Sequence, residues 1–232
     1  MNKRLAAICR MIPEGRGVID VGTDHAYLPV QLYKNGYQGN LFASDIREGP
    51  LRAARAAVEK ADADAAVTLS LCDGLDACPP EKIDTIVIAG MGGDTICGIL
   101  DRAEWCWQPE YLLLLQPMTK PEVLRYWLIN NGFLLEQEDI VEDCGILYQI
   151  IAARFSGQNT VLLDAELFFG SYHGLRTNSL YPALVKDYSI RMRKKLSGML
   201  KAARREDSSL RLLHSILKET TRIEELLHDD RQ

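Results

Sequence analysis

The sequence predicts an α/β protein: a mostly parallel seven-stranded sheet with its last strand reversed, followed by a helical unit. Three observations carry this. Short apolar runs alternate with helical patterns over the first 130 or so residues, two more strand-like runs then follow with no helix between them, and strand signals stop after residue 159. Strand–helix alternation implies right-handed crossovers and parallel pairing. A closing hairpin turns one strand against the rest.

The first strand candidate is GVIDVG (17–22), with a helix over about 26–35. NLFASDI (40–46) leads into a helix over 49–61, rich in Ala and Arg. AVTLSLCDG (66–74) precedes a loop with Pro79 and Pro80, and TIVIAGMGG (85–93) precedes a helix over 94–103. YLLLLQP (111–117) is followed by the helical stretch PEVLRYWLINNG (121–132), where Pro121 sits at a helix start and Gly132 just past the end. TIVIAG and YLLLLQ are apolar throughout, as central strands covered on both faces require. Residues 133–155 read as the hairpin, joined near Asp143-Cys144-Gly145.

Beyond Ser156-Gly157-Gln158-Asn159 a short helix is expected around 163–172, and Pro182 opens a long helical stretch. Apolar residues recur every three or four positions at Val185, Tyr188, Met192, Leu196, Met199 and Ala203, and again at Leu213, Ile216, Thr220, Ile223 and Leu227. Glu206-Asp207-Ser208-Ser209 offers a break with N-cap residues. Two helices packed as an antiparallel coiled-coil hairpin is the expectation, and one continuous helix the alternative. The division that follows is 1–157 for the sheet domain and 158–232 for the helical one.

A 47% hydrophobic, 25% charged chain has an ordinary globular composition. No apolar run reaches the roughly 18 residues of a membrane span. The first residues are interrupted by Arg10, Pro13 and Glu14, which does not suit a signal peptide. No membrane contact and a cytoplasmic location are the expectations. The six cysteines form no C-x-x-C pair and have no His at ligand spacing, so no metal site is expected and most read as small buried hydrophobes. The oligomeric state is left open, with a monomer favoured. Charge divides the chain. Residues 1–155 hold 14 Lys/Arg against 22 Asp/Glu, while 186–205 hold eight basic residues against Asp187 alone. An acidic body with a basic helix suggests two units with different tasks.

In doubly wound sheets, ligands sit beyond the carboxyl ends of the strands. Four strand ends here carry unusual residues. Asp20-Val21-Gly22-Thr23-Asp24-His25 gives a Gly turn flanked by acids, with Asp24 and Ala26 where a dinucleotide motif would place further glycines. An acid there repels phosphate and suits a cation; a turn capped by Thr23 or Asp24 is the structural alternative. Asp45, before Ile46, can accept from ribose hydroxyls, and Asp73-Gly74 from an exocyclic adenine amine. Ala89-Gly90-Met91-Gly92-Gly93-Asp94 sets three glycines after a buried strand, where Asp94 can cap the next helix. Three acids and two Gly-rich turns in this order favour a nucleoside with a cationic extension, and S-adenosylmethionine matches.

The blocks RLAAICRMIPEGRGVIDVGTDHAYLP, ASDI, AGMGGDTICGIL, LLLLQP, LRYWLINNGF and CGILYQII resemble the bacterial tRNA (adenine-N1)-methyltransferase family that modifies adenine 22 of the D-arm. The resemblance covers residues 3–155 closely and the tail in character. It implies a Rossmann-like methyltransferase sheet binding S-adenosylmethionine, a coiled-coil tail, and tRNA as partner. By position, Asp20, Gly22, Thr23, Asp24 and His25 match the first cofactor motif, Asp45 and Ile46 the ribose contact, and Asp73 and Gly74 the adenine contact. Ala89, Gly90, Met91, Gly92 and Gly93 match the loop between cofactor and base, and Gln116 and Pro117 the strand end near the base pocket.

Adenine N1 carries a free lone pair and needs no general base, so alignment is the main catalytic task. Asp24 and Asp94 are the candidate carboxylates for stabilising the cationic product, and Tyr27 the candidate for stacking on the base. His25 either touches the cofactor or orients an acid. Arg193, Lys194 and Lys195 on the basic helix are the candidate RNA contacts. Trp105, Trp107 and Trp127 read as packing residues. The competing readings are a methyltransferase acting on a small molecule or protein, a non-catalytic nucleotide- or RNA-binding module, and an NAD-linked oxidoreductase, the last opposed by the missing glycines and the closing hairpin.

Overall fold

The computed structural model describes residues 2–158, 160–202 and 208–230. The first of its helices is α1 (Lys3–Met11), held at its start by the Asn2 side chain, which accepts from the Leu5 N–H at 2.9 Å. There follow β1 (Gly17–Val21), α2 (Tyr27–Lys34), β2 (Asn40–Asp45), α3 (Glu48–Lys60), β3 (Val67–Leu71), β4 (Thr85–Gly92), α4 (Gly93–Arg102), β5 (Leu112–Thr119) and α5 (Pro121–Asn130). The sheet closes with β6 (Phe133–Asp143) and β7 (Ile146–Phe155). Strand order is β3-β2-β1-β4-β5-β7-β6, with every inner pair parallel up to β5 and β7 antiparallel to both neighbours.

Alternation along the strands feeds two cores. Ile86 and Ile88 of β4 and Leu113 and Leu115 of β5 face a layer containing α4 and α5. Val87, Leu112 and Leu114 face α1, α2 and α3. A strand with both faces covered needs apolar residues at every position, which is what the continuous runs encode. The β6–β7 link is Cys144-Gly145, both at positive φ (51° and 77°), the two-residue turn whose twist matches a hairpin. Trp107 and Trp127 pack edge-on at 5.5 Å, and Trp105 packs on the same core.

The C-terminal part departs from expectation in one place. The helix expected over 163–172 is two, α6 (Asp164–Phe169) and α7 (Tyr172–Leu175), separated at Gly170, whose φ of +90° ends the first. Then come α8 (Tyr181–Ala202) and α9 (Ser208–Asp229), two helices that pack together rather than one. The expected break at Glu206-Asp207 lies outside the described residues, as do the side chains of Met199, Lys201, Ala203, Arg204 and Arg205. Met192 from α8 and Leu213, Ile216, Ile223 and Leu227 from α9 share a core with Ile140 and Leu147 of the closing hairpin.

This third core is tied to the sheet by a buried polar cluster. Arg125 of α5 is 0% exposed, and its guanidinium donates to Glu138 (2.8 Å), Gln149 (2.7 Å) and the Leu167 carbonyl (2.9 Å). Glu138 also accepts from the Ser171 N–H at 2.9 Å, and Gln149 donates to the Phe168 carbonyl at 3.1 Å. A buried guanidinium is tolerated only with its donors engaged, and these partners come from both units. The cysteines correct a second expectation: Cys97 and Cys106 are buried, Cys9, Cys72 and Cys78 half-buried, and Cys144 exposed at the hairpin turn. No helix among the described residues is long and apolar enough to cross a membrane, and no cluster among them is fit to hold a metal.

Candidate active site

Strand order reverses between β1 and β4, and a cleft of about 440 Å³ opens there at the carboxyl strand ends. Gly22, Asp45, Ile46, Asp73, Gly74, Ala89, Gly90 and Met91 all line it, so four distant segments meet as expected. The Gly22 and Thr23 N–H groups both donate to the Ser44 carbonyl, at 2.8 and 2.9 Å, which seats the first turn against β2. Gly22 has φ +76°, a backbone conformation that favours glycine, and a Cβ on it would lie 2.0 Å from Met91 Cε and push that methyl aside. Ser44 Oγ donates to the Gly74 carbonyl at 3.1 Å and links the second and third strand ends.

The two cleft carboxylates are held in place by arginines. Asp45 is buried; its Oδ1 accepts from the Arg47 N–H at 2.8 Å and lies 3.5 Å from Arg47 Nε. Asp73 Oδ1 is 3.0 Å from Arg102, whose other nitrogen donates to the Gly98 carbonyl at 3.1 Å. Both acids use Oδ1, and among the described residues neither Oδ2 has a hydrogen-bond partner, so each retains an acceptor for a ligand. Ile46, 62% exposed, and Ile99 supply apolar rim between them. Hydroxyl and amine acceptors, an apolar rim and bare backbone fit a nucleoside.

The remaining candidates lie outside that lining. Asp20 and Thr23 are buried at the end of β1. Burial pushes the Asp20 carboxyl up to about 6, opposed by hydrogen bonding from Thr23 and by the Arg4 charge. Thr23 Oγ1 accepts from the Ala26 N–H at 3.1 Å, so Thr23 rather than Asp24 serves the turn before α2. Asp24 is exposed and sits 3.5 Å from His25 Nε2, whose ring stacks on Tyr27 at 5.1 Å. Asp94 does not cap α4, which starts from Gly92 without a side-chain cap; its carboxylate reaches across to pair with Lys120 at the start of α5. Gly93 packs against the Lys120 carbonyl, where a Cβ would meet it at 2.3 Å.

Gln116 and Pro117 end the buried part of β5. Gln116 is 0% exposed, and Pro117 borders a second cleft of about 480 Å³ with Met118, Tyr148, Tyr188 and Arg191. A third, of about 580 Å³, continues between Lys120 and α8 and includes Lys195. Lys194 and Lys195 are exposed, whereas Arg193 is engaged by Thr221 at 3.3 Å and Glu224 at 3.7 Å on α9. Sequence reasoning passed over Arg4, Arg47, Ser44, Thr95 and Arg102. Only Arg47, two residues after Asp45, carried any local signal.

This sheet order with a reversed β7, and a nucleoside-shaped cleft at its switch point, define a Rossmann-like methyltransferase domain. A family model described as "Methyltransferase domain" matches residues 1–151. The tRNA (adenine(22)-N(1))-methyltransferase of Bacillus subtilis is 30% identical over 185 residues, 78% of each chain. The crystal structure of the B. subtilis m1A22 tRNA methyltransferase is similar over 99% of this chain and 97% of its own, with 27% identity and a TM-score of 0.79. A Streptococcus pneumoniae protein solved with S-adenosyl-L-methionine is similar over 97% and 99%, with 26% identity and a TM-score of 0.81. The chain belongs to the tRNA (adenine(22)-N(1))-methyltransferase family.

Proposed function

We propose that this protein methylates N1 of adenine 22 in the D-arm of tRNA with S-adenosylmethionine, as a cytoplasmic, monomeric enzyme. The carrying observation is the single cleft in which Asp45, Asp73 and the Gly22 and Gly90 backbones converge at the switch point. When bound, S-adenosylmethionine supplies a methyl group activated by a sulfonium.

The chain's own part is holding and alignment. Asp45 accepts from the ribose hydroxyls and Asp73 from the adenine amine, each through the oxygen its arginine leaves available, between Ile46 and Gly74. Asp20, Thr23 and His25 support the first turn, and Ala89 to Gly92 form the wall between donor and target. Gly93, Gln116 and Pro117 bound the target side. Because N1 is already a nucleophile, no residue has to remove a proton before attack; placing the reacting atoms in line can supply up to roughly 7–11 kcal/mol. The ring becomes cationic on methylation, which favours a carboxylate nearby. Asp24 is exposed beside the Tyr27 and His25 rings and fits that role; Asp94 reaches it only by leaving Lys120.

N1 lies on the pairing edge, so the target adenine must be splayed out of its stack. Holding the RNA falls to residues 158–232, where Lys194 and Lys195 present exposed positive charge, Lys195 on the lining of the cleft between Lys120 and α8. Arg193, engaged by α9, braces that helix. The test is nucleoside mass spectrometry of unmodified tRNA incubated with protein and S-adenosylmethionine. 1-Methyladenosine at position 22 is the expected product; methyl at N6, or none, overturns the reading.

A further inference from the structure

Arg4 belongs to α1, outside the strand–helix units, yet it reaches the carboxyl ends of β4 and β5. Its Nη1 donates to Gln116 Oε1, 112 positions along the chain, and lies 4.0 Å from Met118 Sδ. The guanidinium sits 5.6 Å from the Tyr148 ring centroid. The same Gln116 oxygen accepts from the Gly90 N–H at 3.2 Å, while Gln116 Nε2 donates to the Pro117 carbonyl at 2.9 Å. Gly90 has φ +87°, and a Cβ there would lie 3.2 Å from Arg4 Nη1. Gly90 lines the nucleoside cleft; Met118 and Tyr148 line the neighbouring one.

A glutamine amide can turn over, exchanging oxygen for NH₂. In a buried site that would set donor against the Gly90 N–H and lose the bond to Pro117. Arg4 has only donors, so its presence excludes the turned amide twice over, and a charged donor makes the stronger bond. We propose that Arg4 is a positioning residue for methyl transfer: by holding the Gln116 amide one way round, it fixes the Gly90 peptide and with it the loop between donor and acceptor. The inference rests on the methyltransferase reading above.

The test compares Arg4→Ala, Arg4→Lys, Gln116→Met and the Arg4→Ala/Gln116→Met double variant. It uses single-turnover methylation of tRNA, calorimetric affinity for S-adenosylmethionine, and hydrogen exchange at residues 89–92 without substrate. Arg4→Ala is expected to slow methyl transfer by about tenfold or more, because alignment is lost, while cofactor and tRNA affinity stay within about threefold. The 89–92 amides exchange faster in that variant. Arg4→Lys, still donor-only, recovers part of the rate, and the double variant is no slower than the slower single variant, since both act through one contact. A rate for Arg4→Ala within about twofold of wild type, unchanged exchange at 89–92, or multiplying effects in the double variant would overturn the proposal. Should Arg4→Ala not fold, Arg4→Met, which keeps the aliphatic stem and removes the donors, takes its place alone and in the double variant. If the wild-type protein methylates no tRNA, the functional reading fails, whereas the exchange comparison still decides the role of Arg4.

Discussion

Asp20 is placed where ionising is costly. Burial raises its carboxyl from 3.8 to about 6, so the native state binds a proton that the unfolded chain has released between those values. Stability therefore falls as pH rises through that window, and at pH 7.5 the ionised group costs about 3 kcal/mol. Asp20→Asn is expected to be more stable than wild type at pH 7.5 by roughly that amount, with the gap closing toward pH 4, in denaturant titrations at several pH values. The same substitution removes a negative charge beside the first turn, so affinity for cationic S-adenosylmethionine should fall in calorimetry. A pH-independent stability difference would show that Asp20 does not titrate in this window. Asp45 and Asp73 could be proposed from the sequence because one ends a strand and the other lies two residues past one, on the sheet side where ligands sit. Arg4 and Arg102 could not. An arginine on a helix is ordinary in composition, and only the folded chain shows that one meets Gln116 and the other Asp73.

Among the elements, the strands were legible because side-chain alternation and apolar runs are local properties: TIVIAG and YLLLLQ became the central β4 and β5. The hairpin was legible because Cys144-Gly145 leaves no room for a crossover. Less was readable where chain path depends on one backbone angle, as at Gly170 between α6 and α7. Nothing in the first residues announced α1 as the source of a side chain near the site. Helix α8 carries its own prediction. Lys194 and Lys195 are exposed, Lys195 on the lining of a cleft, whereas Arg193 is occupied by α9. Lys194→Glu with Lys195→Glu should weaken tRNA binding and reduce the slope of log affinity against log salt by about 1–2, with S-adenosylmethionine affinity unchanged. Filter binding across a salt series checks it, and an unaltered slope removes this helix from the RNA surface.

At the scale of the whole molecule, the sheet and the helical unit meet through Arg125, Glu138 and Gln149. Removing the guanidinium strands a carboxylate in the interior. Arg125→Met should cost about 3–5 kcal/mol in denaturant unfolding, and adding Glu138→Met should restore part of it, because replacing a whole buried pair by apolar groups is far milder than removing one member. A loss under about 1 kcal/mol for the single variant would mean that water reaches the cluster. The closing hairpin reaches all three cores, with Ile151 facing α4 and α5, Ile150 facing α1 to α3 and Ile140 facing α8 and α9. Helices α8 and α9 are thereby braced on the strand that ends the sheet. With Lys194 and Lys195 holding the RNA as proposed, the protein would work as a ruler instead of a hinge: packing on the hairpin sets the span from those lysines to the nucleoside cleft, and the RNA's own contour over that span would select the nucleotide reached.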